Sequence, residues 1–145
     1  MTVWAVDLAR GIEPDEVKGT LELSDAALLF SPLDETRPAL RIPLTDIVKV
    51  RRLRGSPVLM IDRTMLAGPR RTAFYFAQPP PLNALLGTAV PERPAGLAAF
   101  RSPKRKARRD NVNYLGLTNR EKKETLTEWV RAVREAMADS SAARG

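Results

Sequence analysis

Between Val17 and Ala77, apolar and polar residues alternate in short runs cut by turn residues at close spacing. A side-chain period of two suits a half-buried strand and not a helix. The stretch therefore predicts an antiparallel sheet of short strands. Six are expected: Lys18–Leu23, Ala27–Phe30, Leu40–Leu44, Ile47–Leu53, Val58–Ile61 and Thr72–Ala77. Ser24-Asp25, Ser31-Pro32, Thr45-Asp46, Gly55-Ser56-Pro57 and Ala67-Gly68-Pro69 supply the breaks.

Faces follow from the alternation. Val17, Gly19, Leu21 and Leu23 point one way, and Leu40, Ile42 and Leu44 share a face. Ile47 and Val50 look inward, while Lys49, Arg51, Arg52 and Arg54 alternate irregularly, as at a β-bulge. Phe74 and Phe76 fall on one face with Tyr75 opposite, which reads as core and not as a base-stacking platform.

The flanks are less regular. Residues 1–16 are weakly patterned; Trp4, Val6, Leu8 and Ile12 are expected to pack against the sheet, with a turn at Pro14-Asp15-Glu16 before the first strand. Residues 78–111 hold Pro79, Pro80, Pro81, Pro91, Pro94 and Pro103. Proline removes amide donors, so this reads as a Pro-rich basic insertion, partly disordered or draped over the body. Val112–Leu117 is expected to be a last strand. Thr118-Asn119 then caps a helix over 119–139, whose Leu126, Trp129, Val130, Val133 and Met137 recur at helical spacing. Residues 140–145 should fray.

The expected whole is a single domain over 1–145, mainly β with one C-terminal α-helix. Its core is assigned to Phe30, Ile42, Ile47, Phe74, Phe76, Leu126, Trp129 and Val133, with Trp129 plugging an open end of the sheet.

Composition narrows the chemistry. The chain has no cysteine and no histidine. Disulfides, Cys-ligated zinc, thiol catalysis and every imidazole-based mechanism are thereby excluded. Asp46, Asp62 and Asp110 are isolated turn-type carboxylates, and no Gly-rich phosphate cradle exists among the eight glycines. The expectation is no enzyme, no cofactor and no metal. The start, MTVWAVDLARGIEPDE, lacks the pattern of a secretory signal, and no apolar run approaches the ~18 residues of a membrane span. A cytoplasmic protein, peripheral at most at the inner membrane face, is the default. Arginine far outnumbers lysine among the 24 basic residues, the usage of a GC-rich bacterial genome.

Net charge is +7, and its placement matters more than its size. Arg101, Lys104, Arg105, Lys106, Arg108 and Arg109 lie within nine residues with no acid between them. Subtracting these six leaves a body of +1. Such a cluster attracts an anionic membrane surface, an acidic protein partner or, less favoured, nucleic acid; the bland reading is a solvated charge run. Arg70 and Arg71, expected at a hairpin tip, would extend the patch. Phe100 with Leu97 is the one apolar anchor near the cations, and Tyr114 with Phe100 the one pair placed to stack on bases. No helix-turn-helix, zinc finger or RNP strand is legible. Oligomeric state stays open, with the edge of the Ile47–Leu53 strand available for pairing and no heptad array.

Three motifs in order, Gly19-Thr20-Leu21-Glu22-Leu23-Ser24, Leu28-Leu29-Phe30-Ser31 and Ile42-Pro43-Leu44-Thr45-Asp46-Ile47, resemble the GRAM branch of the pleckstrin-homology-like superfamily. Phe74-Tyr75-Phe76 looks like the aromatic strand that follows, and the helix is a looser addition. The resemblance covers residues 17–77. It implies a pleckstrin-homology-like antiparallel barrel capped by an amphipathic helix, acting as a non-catalytic binding or scaffold module. Lipid-binding members of that superfamily place basic residues in the loop joining strands one and two. Here that loop is expected at Ser24-Asp25-Ala26, short and acidic, so no phosphoinositide site is carried over.

Overall fold

The computed structural model describes residues 1–8, 15–79 and 103–143, with side chains in the helix described from residue 113. It contains β1 (Thr2–Asp7), β2 (Glu16–Leu23), β3 (Ala27–Pro32), β4 (Leu40–Pro43), a 3-10 turn η1 (Leu44–Asp46), β5 (Ile47–Arg52), β6 (Val58–Met65), β7 (Gly68–Tyr75) and α1 (Pro103–Ala142). The strands form one antiparallel sheet in the order β4-β3-β2-β1-β7-β6-β5. It is not closed: β4 and β5 are its two edges. Yet Ile42 and Leu44 from one edge, and Ile47 and Val50 from the other, belong to the same buried cluster. The sheet is therefore curled around its main core.

The centre of the sheet is β1. It pairs with β2 through Ala5↔Val17 and with β7 through Ala5↔Phe74, joining two meanders. This corrects the expectation for residues 1–16, which assigned them no strand. The reason is double burial. Val3 and Ala5 enter the main core, while Val6 joins Val58, Met60 and Ala73 in a second cluster on the opposite face. A strand apolar on both faces shows no alternation. Trp4 is half-buried on that outer face, with Lys18 Nζ 5.4 Å from its ring centroid. Leu8 is exposed, and Ile12 lies outside the described residues.

A second consequence is that Ser24-Asp25-Ala26 joins β2 to β3, not strands one and two. The β1–β2 connection is residues 8–15, with Arg10 in the part outside the described residues. The short acidic turn is thus the second connection of the sheet and not the first.

Within β2, Gly19 is required by packing. A Cβ there would meet Phe30 Cζ at 2.6 Å and the Ser31 carbonyl oxygen closer still. Gly55 (φ 77°) and Gly68 (φ 110°) make the turns before and after β6 in conformations that L side chains resist. The register slips between Ile47 and Lys49 opposite β6, the bulge expected from the irregular charges of β5.

The helix differs from its expectation at both ends. It begins at Pro103, so Val112–Leu117 is helical and not a seventh strand, and residues 103–111 of the supposed insertion are helix too. Thr118-Asn119 is not a cap: Thr118 Oγ1 donates to the Tyr114 carbonyl at 2.9 Å, one turn back in the same helix. Residues 140–142, expected to fray, continue the helix. The charged run is helix and not loop for a physical reason. Lys, Arg and Ala are strong helix formers, and proline is favoured in a first turn. Residues 80–102, the rest of the insertion, lie outside the described residues.

The helix packs through one stripe. Leu126 and Val133 are buried, and Trp129, Val130, Ala136 and Met137 pack partly against the same core. Trp129 meets Phe76 edge-on, with centroids 5.9 Å apart and planes at 73°. Phe30, Ile42, Ile47, Phe74 and Phe76 are all buried.

Candidate functional site

Lys104, Arg105, Lys106, Arg108 and Arg109 occupy the first two turns of α1; Arg101 lies outside the described residues. No acid sits in that first turn. This is the positive end of the helix macrodipole, where cations are disfavoured. At 1.5 Å per residue the 40-residue helix is about 60 Å long. Among residues 113–125, none belongs to the apolar cluster or packs against it; Tyr114 and Leu117 are exposed. Contact with the core starts at Leu126. Among the described side chains, the main core therefore meets the helix from Leu126 onward.

Arg70 and Arg71 sit within β7 and not at the hairpin tip, which is Leu66-Ala67. As neighbours in a strand they face opposite sides. Arg70 follows the inward set of Thr72 and Phe74, and its Nη2 lies 2.7 Å from Asp7 Oδ2. Arg71 faces out and donates from Nε to Asp62 Oδ1 at 2.5 Å. The Asp62 carboxylate holds the Arg71 guanidinium charged, above its ordinary value. Arg51 approaches the same carboxylate at 3.9 Å. Both arginines proposed to extend the basic patch are therefore engaged with carboxylates of the sheet.

One group that sequence reasoning missed lies beside them. Arg63 continues the inward face of Leu59 and Ile61 in β6, and only 7% of it is exposed. Its Nε has no hydrogen-bond partner, and no carboxylate pairs with it among the described residues. Burial lowers its pKa and the neighbouring Arg70 adds to that, while Asp7 and Asp46 oppose it. Thr72, 2% exposed, also leaves its hydroxyl unpartnered. The available signal was alternation: the Val58–Ile61 strand, carried two residues further, turns Arg63 inward. Ending it at Ile61 hid this.

The end of the sheet where these residues meet is braced by two ion pairs. Asp7 with Arg70 ties β1 to β7. Asp15 Oδ2 with Arg37 Nη1, 2.5 Å apart, ties the β3–β4 loop to the start of β2. On the loop side Asp34 Oδ1 accepts from the Thr36 amide and hydroxyl, which lowers the Asp34 pKa.

No group of three or more potential metal ligands occurs among the described residues. No helix there is long and apolar enough to cross a membrane. Comparison with protein-family models, with curated proteins and with solved structures finds no match to this chain.

Proposed function

We propose that this chain is a non-catalytic binding module with a pleckstrin-homology-like, GRAM-like barrel, tethered to an anionic membrane surface by the basic start of α1. The meander order of the strands and the C-terminal helix packed against η1, β5 and β6 support the fold reading. One observation carries the functional reading: five cations fill the first two turns of a helix whose packing on the main core, among the described side chains, begins at Leu126. From Arg109 to Leu126 the axis rises about 25 Å. The sheet acts as an anchor and the helix as a stiff arm.

Each cation near an anionic leaflet contributes about 1 kcal/mol, within a Debye length. The same anions offset the unfavourable placement of positive charge at a helix N-terminus, worth about 0.3–1 kcal/mol per charge. The attraction is electrostatic and so falls as salt rises.

The test is co-sedimentation of the full chain with phosphatidylcholine vesicles and with vesicles containing phosphatidylglycerol, at low and physiological salt. Sedimentation with the anionic vesicles alone, weakened by salt, supports the reading. Equal sedimentation with both, or with neither, overturns it. Duplex DNA is added as competitor: release from vesicles at low DNA concentration transfers the site to nucleic acid.

A further inference from the structure

A pocket of about 270 Å³ opens at the end of the curled sheet, between β1, the start of β2, the β3–β4 loop and the β6–β7 hairpin. Its wall is largely apolar, with Ala5, Val17, Phe30 and Leu40 among the lining residues. Arg63 and Thr72 also line it, both more than nine-tenths buried, and among the described residues Arg63 Nε and Thr72 Oγ1 both lack a hydrogen-bond partner. Arg70 pairs with Asp7, and Arg37 with Asp15 and Asp34. Arg63 is the one cation among the described lining residues without an ion pair. A buried guanidinium without a counter-charge is expensive, and an apolar side chain there would stabilise the fold. Two donors without a partner among the described residues, one of them on an unpaired guanidinium, in a largely apolar pocket suggest what would fill it.

We infer that this pocket binds a small organic carboxylate bearing a compact apolar group. The carboxylate pairs with the Arg63 guanidinium, a charge-assisted bond among the stronger ones available to a protein, and small side-chain movements bring Arg63 Nε and Thr72 Oγ1, which carry almost no accessible surface in this structure, within its reach. The apolar group rests between Ala5, Val17, Phe30 and Leu40. At about 30 Å³ per water-sized unit the pocket takes about nine non-hydrogen atoms. The site is built from strands and does not depend on the basic arm, so it stands or falls separately from membrane tethering.

The experiment is titration calorimetry of the full chain with benzoate and hexanoate, with benzamide and inorganic phosphate as controls. Both carboxylates should bind, and benzamide and phosphate should bind at least tenfold more weakly. Arg63→Met should weaken carboxylate binding at least tenfold while raising the melting temperature, a pairing that a merely structural arginine would not give. Thr72→Val, close in shape, should weaken binding several-fold and serves alone if the Arg63 variant does not fold. Absence of carboxylate binding, equal affinity for benzamide or phosphate, or unchanged affinity in the variant that folds would overturn the site.

Discussion

The indole of Trp129 meets the ring of Phe76 edge-on at 5.9 Å, and through this contact the long helix is fixed to the end of β7. Removing a large aromatic from a core costs about 3–5 kcal/mol. Trp129 is only partly buried, so Trp129→Ala should lose about 3 kcal/mol in urea unfolding. Leu117→Ala, on the exposed half of the same helix, should change stability by less than about 0.5 kcal/mol. Similar losses in both variants would mean that the first half of the helix is packed after all.

Gly19 and Phe30 form a second fixed pair. The Phe30 ring and the Ser31 carbonyl occupy the space a β-carbon would need. A flexible side chain could step aside, but a backbone oxygen in a paired strand moves only with the strand. Gly19→Ala should therefore cost about 2 kcal/mol by overpacking. A variant as stable as the parent in thermal and urea unfolding would refute the close approach.

Much of the sheet was legible because its strands obey a period of two, from Val17 through Leu23 and again at Phe74 and Phe76. The first strand was not, because Val3 and Ala5 pack on one face and Val6 on the other. The start of the helix was missed for a different reason. Residues 104–109 are charged enough to read as loop, yet their helix propensity is high, and helical propagation carries through the weak Gly116 once the far half is anchored. Arg63 was invisible as a site because a basic residue in a strand is normally exposed. Its alternation with Leu59 and Ile61 turns it inward, and the register with β7, Ile61↔Thr72 and Arg63↔Arg70, agrees.

Glu16, at the start of β2, has its pKa raised above the ordinary 4.5, first by burial and then by the adjacent Asp15. A raised carboxyl pKa means the folded chain prefers the neutral acid. That stabilising contribution is complete below about pH 4.5 and is lost as pH rises through the folded value. Glu16→Gln mimics the neutral form. It should raise stability at pH 7 by about 0.5 kcal/mol and have no effect at pH 4 and below. Melting curves across that range check it; an equal gain at both ends would rule out the assigned cause.

Salt should separate the arm from the body. The ion pairs of the sheet, such as Arg70 with Asp7, are partly buried and short, so added salt should shift the melting temperature only slightly. If the cations of residues 104–109 carry the attraction, vesicle affinity should fall several-fold between low and physiological salt. Parallel decay of stability and affinity would place the attraction on the sheet instead.

The most direct test of the tethering account is vesicle flotation of the full chain beside a variant with Lys104, Arg105, Lys106, Arg108 and Arg109 all changed to Gln. Glutamine keeps good helix propensity, so circular dichroism should be unchanged. The account predicts that the parent floats with phosphatidylglycerol vesicles and that the variant stays at the bottom of the gradient. Flotation of the variant at the level of the parent would contradict it.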